Sequence, residues 1–156
     1  MPIKLNHEKI TTTRSDPDPS TWTPEMVSLV TNLRRLQPTA LLAIVPQCVT
    51  RLNNSDANVG AAIAQLQDQL DYIIVQYYNN PPCSYPYGFN FDDWKTNFKG
   101  KIAVGLAGDW TSAIAGGYLN AGELQAVYDM VKNDSQFGGF SVYDVSSSNP
   151  PAFDWQ

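Results

Sequence analysis

Leu70-Asp-Tyr-Ile-Ile-Val-Gln-Tyr-Tyr-Asn-Asn-Pro-Pro-Cys83 decides how this chain is read. Its aliphatic run, Ile73 to Val75, predicts a buried strand. Hydrogen-bonding and aromatic groups follow at once, Gln76, Tyr77, Tyr78, Asn79 and Asn80, and the double proline then ends the strand. An apolar strand that delivers polar side chains at its C-terminal end is how parallel α/β sheets build binding sites.

Working outward, the flanking segments supply helices and further strands. Thr23 is a predicted N-cap with Pro24 at the first helical position, and Trp22 is placed to staple against Val27. Met26, Leu29, Val30, Leu33 and Leu36 recur at helical spacing until Pro38. Ala40 to Val45 is a short apolar run that reads as a strand buried on both faces, ending in Pro46-Gln47-Cys48. A helix is predicted over 57–70, with Val59, Ala62, Ile63, Leu66 and Leu70 on one face. After the central strand come a Pro/Tyr/Gly loop (81–89), a short helix near 90–98 and a third strand, Lys101 to Leu106. A Gly/Ala-rich loop covers 107–119, and Asn120 with Glu123 makes a capping-box start for the next helix. Phe137 to Tyr143 is the fourth strand. Residues 1–19 read as an extended segment, with strand character at Ile10 to Thr13 and a loop at Asp16-Pro-Asp-Pro19. Residues 20–148 form the domain and 149–156 a Ser/Pro-rich tail. Strands alternating with helices predict an α/β fold with a parallel sheet. Gln47, Gln76 to Asn80, the 107–119 loop with Asp109-Trp110, and Tyr143-Asp144 then share one rim.

Composition narrows the function. The 156 residues suit about one domain, and the net charge of −5 comes with scattered basic residues. Without a basic stripe, nucleic acid and anionic membrane surfaces are disfavoured as partners. No apolar run reaches the roughly 18 residues that span a bilayer, and the first residues lack the apolar core of a signal peptide. Cys48 and Cys83 are either two buried thiols or a single disulfide. His7 is the lone histidine, no cluster has metal-ligand spacing, and no glycine pattern cradles phosphate, so neither metal nor cofactor is implied. Asn53-Asn-Ser55 and Asn133-Asp-Ser135 match the glycosylation tripeptide.

Four stretches then stand out together: Ala43-Ile-Val-Pro-Gln-Cys48, Asp71 to Cys83, Lys101-Ile-Ala-Val-Gly-Leu106 and Phe137-Gly-Gly-Phe140. In this order they resemble the second half of the class III, hevamine-like chitinases, glycoside hydrolases of family 18 from plants and fungi. The resemblance covers about residues 20–148. It implies half of a (β/α)8 TIM-type barrel, about four to five parallel strands with alternating helices. It also implies a Cys48–Cys83 disulfide, and hence an oxidising, extracellular compartment.

The family's chemistry is substrate-assisted, with a Glu as general acid at an Asp-x-x-Asp-x-Asp-x-Glu strand end. The corresponding stretch here, Ile10 to Pro19, has no such run. Asp16 and Asp18 are flanked by prolines, and Glu8 and Glu25 are out of register. The sugar-holding positions match better. The resemblance implies that Gln76, Tyr78 and Asn79 line a sugar site, with Tyr78 holding the N-acetyl carbonyl. Tyr143 stands where the family has a Trp floor. Gln47, Trp110 and Asp144 join them as rim candidates.

The leading expectation is a non-catalytic, lectin-like, possibly defence-type protein that binds N-acetylglucosamine-type glycans. The alternatives are a glycosidase using Asp16, Asp109 or Asp144, and a protein-interaction module. Four or five strands leave two open edges and an apolar concave face. A homodimer is the expected remedy; the other is that residues 1–15 fold back on an edge.

Overall fold

The structure is a computed structural model and describes residues 22–49 and 55–144. The expectations placed on residues 1–19 and 149–156, on His7, Glu8, Asp16 and Asp18, and on most of the first glycosylation tripeptide lie outside the described residues. Elements alternate along the chain: α1 (Trp22–Leu36), β1 (Ala43–Ile44), α2 (Ser55–Gln65), β2 (Tyr72–Gln76), α3 (Phe91–Asn97), β3 (Lys101–Ala107), α4 (Ala121–Val131) and β4 (Phe137–Tyr143). The four strands form one sheet in the order β1-β2-β3-β4, every pair parallel. This is the expected half of a (β/α)8 arrangement.

Alternation along β2 decides which of its side chains enter the core, whereas β3 is buried on both faces after Lys101. Ile73 and Val75 of β2, with Ile102, Val104 and Leu106 of β3, join Val30, Ile63, Leu66, Trp94, Phe98, Val127 and Val131 in the main core. This is the helix-covered face. Tyr72, Ile74 and Gln76 alternate onto the other face and are only half-buried.

Three elements depart from the sequence expectation. β1 is assigned two residues rather than six, and Leu41 (77% exposed) and Val45 (50%) are not covered. Among the described residues it is an edge with one neighbour, and Pro46 offers no amide. The ladder nonetheless continues: Gln76 N donates to Pro46 O at 2.8 Å and Cys48 N to Gln76 O at 3.2 Å. Helix α2 stops at Gln65, five residues early; Leu66 and Leu70 are buried from turns instead. Helix α1 includes Trp22, so Thr23 falls inside its first turn rather than capping it. Of the α1 stripe, Val30 is buried and Met26 packs on the core, whereas Leu29, Leu33 and Leu36 are exposed. The capping box of α4 forms as expected: Glu123 N donates to Asn120 Oδ1 at 3.1 Å and Asn120 N to Glu123 Oε2 at 2.9 Å.

Candidate functional site

Parallel strands bring the loops that follow them to one rim. There β2, β3 and β4 enclose a groove of about 810 Å³ lined by Gln76, Tyr78, Asn79, Ser112, Ser141 and Tyr143, together with Val45 and Ile74. Its floor is low at Gly105, where a Cβ would sit 2.8 Å from the Val75 carbonyl oxygen. A second groove of about 620 Å³ continues toward the N-terminal strand ends, sharing Ile74 and Ser141 and lined by Leu41, Tyr72, Ala103 and Phe140.

The rings of Tyr78 and Tyr143 face each other at 6.4 Å with planes 8° apart. Tyr78 is buried; Tyr143 is half open to solvent at 49% exposure. Burial, and after it the neighbouring Tyr143, pushes the Tyr78 hydroxyl above its ordinary pKa. Tyr78 is therefore a neutral hydroxyl, able to donate a hydrogen bond, throughout the physiological range. Gln76 donates from Nε2 to Val45 O at 3.1 Å, which fixes its amide at the β1 side of the groove.

Residues adjacent in sequence have different tasks here. Tyr77 turns into the core, with its ring 4.5 Å from Phe89. Burial raises its pKa well above the ordinary value, and its hydroxyl has no hydrogen-bond partner among the described residues. Asn79 adopts φ 61°, a left-handed conformation that Asn tolerates. Its side chain donates to Ser112 O at 2.8 Å and accepts from Ala115 N at 3.0 Å. Asn80 donates to Gln47 Oε1 at 2.9 Å and to Tyr78 O at 3.1 Å. Gln47 thus bonds to Asn80 beside the groove rather than lining it. Next to this pair, Cys48 and Cys83 form a disulfide that ties the end of β1 to the loop after β2.

The structure therefore brings together Gln76, Tyr78, Asn79 and Tyr143 around one groove. Trp110 and Asp144 are not part of its lining. Trp110 is 70% exposed on a one-turn 3-10 helix, Trp110–Ala113. Asp109 caps that turn, accepting from Ser112 N and the Thr111 hydroxyl at 2.9 Å each. Desolvation pushes the Asp109 pKa up, but these hydrogen bonds outweigh it and leave the carboxyl below its usual range. Glu25 lies exposed in the first turn of α1, away from the groove lining. Among the described residues no cluster of His, Cys, Asp or Glu could hold a metal ion, and no helix is long and apolar enough to cross a membrane.

Sequence reasoning passed over Ser112 and Ser141, both in the groove wall. Only Ser112 had a signal, its place in a loop directly after a strand.

No protein-family model matches the chain. It is 34% identical over 128 residues to chitinase 1 of Candida albicans, covering 78% of this chain and 26% of that protein. It is 32% identical over 113 residues to acidic endochitinase SE2 of Beta vulgaris, covering 69% of this chain and 36% of that one. Among solved structures, the ICChI chitinase of Ipomoea carnea superposes with a TM-score of 0.63 at 25% identity, over 77% of this chain and 46% of that chain. A family 18 chitinase from Pseudoalteromonas aurantia matches in fold with a TM-score of 0.71 at 21% identity, over 83% of this chain and 50% of that chain. The chain thus spans about a quarter to a third of these sequence relatives and half of the barrel structures.

Proposed function

The chain is a partial homologue of fungal and plant family 18 chitinases, and from that premise we propose that it binds N-acetylglucosamine-type glycans at the strand-end groove without hydrolysing them. The observation that carries this reading is the pair of parallel tyrosine rings, Tyr78 and Tyr143, beside the Gln76 amide in one groove. Aromatic faces give an apolar contact for the flat side of a sugar ring, and Gln76 and the Tyr78 hydroxyl give directed hydrogen bonds. Binding is favoured over turnover because this sequence contains no Asp-x-Asp-x-Glu run. Asp109, whose loop supplies Ser112 to the groove wall, is already the cap of that loop. A lectin-like, defence-type role is the corresponding biological reading.

Calorimetric titration with chitin oligomers tests it. Binding by the wild type and a loss of at least about tenfold in Tyr78→Ala are expected; equal affinity in the variant overturns the site. Release of chromophore from an N-acetylated aryl glycoside, lost in Asp144→Asn, would establish the hydrolase instead. A protein-interaction module would be silent toward every glycan.

The second part of the reading is a homodimer. Its support is the distribution of uncovered apolar groups: Leu29, Leu33 and Leu36 on α1 and Leu41 and Val45 at β1, with Tyr128 and Met130 on α4 beside β4. In an all-parallel sheet, a two-fold axis along the strands sets β1 of one copy beside β4 of the other and covers both concave faces. Light scattering at micromolar concentration should give twice the chain mass; a monomer would refute it.

A further inference from the structure

The loop between β3 and α4 is held to the end of β2 more firmly than an inert connection requires. Asn79 engages it at three points: its side chain bonds Ser112 O and Ala115 N, and its own N–H donates to Gly116 O at 2.7 Å. Gly117, at φ 88°, lies so close to β2 that a Cβ would meet Tyr77 O and Tyr78 Cα at 2.7 Å. Ala113 and Tyr118 pack with Tyr78 and Ala107 in a small core of their own. Asp109 closes the other end of the loop through Ser112 N. This fixed scaffold nevertheless presents Trp110 at 70% and Ile114 at 83% exposure, while Ser112 between them lines the groove.

We propose that the 108–118 loop is a preformed extension of the groove for an elongated glycan, with Trp110 the stacking surface for a further sugar ring and Asn79 the residue that positions it. A Trp face offers a sugar ring its largest apolar contact, and a loop already ordered loses little entropy on binding. Asn79 then acts through the loop: both ends of its amide are used by backbone partners. The inference rests on the glycan reading above and adds a length requirement to it.

The test is calorimetric affinity for the N-acetylglucosamine dimer and hexamer, with amide hydrogen exchange followed at Ala115. In Trp110→Ala the hexamer should bind about tenfold more weakly while the dimer loses less than twofold. Asn79→Gly keeps the backbone conformation without strain and removes the two side-chain bonds while leaving the N–H bond to Gly116 O. It should speed exchange at Ala115 and reproduce the hexamer-selective loss; Asn79→Asp, which keeps the acceptor for Ala115 N, should restore part of that protection. Binding by the wild type with equal losses for dimer and hexamer, or none for either, overturns the extension alone. Wild-type silence toward both oligomers overturns the glycan reading and this inference with it. Unchanged exchange in Asn79→Gly overturns the positioning role.

Discussion

At the N-terminal end of the strands, Arg34 donates to the carbonyls of Pro38, Ala40 and Gln69 and pairs with Asp71 at 2.7 Å. Asp71 also accepts from Leu42 N at 2.7 Å. At the C-terminal end most fixing groups are neutral, the amides of Asn79, Asn80 and Gln76 and the Cys48–Cys83 disulfide, with the Asp109 carboxylate capping the loop after β3. A charged network orders the end opposite the Tyr78–Tyr143 groove. A largely neutral one orders the end that carries it, with the Asp109 carboxylate committed to its own loop. The difference fits the division of α/β sheets into a stability end and a site end.

The comparison can be broken most sharply at the disulfide. It closes a loop of 35 residues of separation, so Cys48→Ser with Cys83→Ser should cost about 3–4 kcal/mol on loop-entropy grounds. Urea unfolding with and without reductant measures it; a difference below about 1 kcal/mol would mean the amide network holds this end unaided. Next, Arg34→Ala strips the other end of three carbonyl partners and should cost about 2 kcal/mol while glycan affinity is kept. A parallel loss of affinity would show that the two ends are coupled.

The Tyr78→Ala and Tyr78→Phe pair sharpens the site end. Alanine removes ring and hydroxyl and should weaken oligomer binding about tenfold or more. Phenylalanine keeps the stack on Tyr143 and isolates the hydroxyl, so its smaller loss reads the hydrogen bond alone. The smallest effect is in acid. The Asp71 carboxyl is held below its usual range first by the Leu42 N–H and then by Arg34, and Asp109 by Ser112 and Thr111 against desolvation. A carboxyl whose folded pKa is depressed stabilises fully above its unfolded value of about 3.9. That stability is lost as pH falls through the folded value. Asp71→Asn should flatten this acid limb in thermal melts, and Asp109→Asn should do so for exchange in the 108–118 loop only.

Much of this architecture was legible in the sequence because strand and helix periods leave different marks. Ile73 to Val75 and Ile102 to Leu106 read as strands and are strands. The Asn120/Glu123 spacing read as a capping box and is one. The edge was read less well. Leu41 and Val45 look like core residues by type, but a residue's hydropathy does not say whether a neighbour exists to cover it. The same holds for Leu29, Leu33 and Leu36 on α1.

The sequence by itself determined the alternation of elements, the parallel order that follows from it, and the chemistry delivered to one rim. These depend on local periodicity and on turn residues, which are written in neighbouring positions. Tertiary structure alone decided the division of labour within Gln76 to Asn80. Side chains one residue apart face opposite sides of a strand, so Tyr77 enters the core while Tyr78 meets Tyr143, 65 residues on. Asn79 meets Ser112 and Ala115 only because β2 and β3 are paired in register, Gln76 opposite Gly105. Register and packing are relations between distant segments, and no single segment carries them.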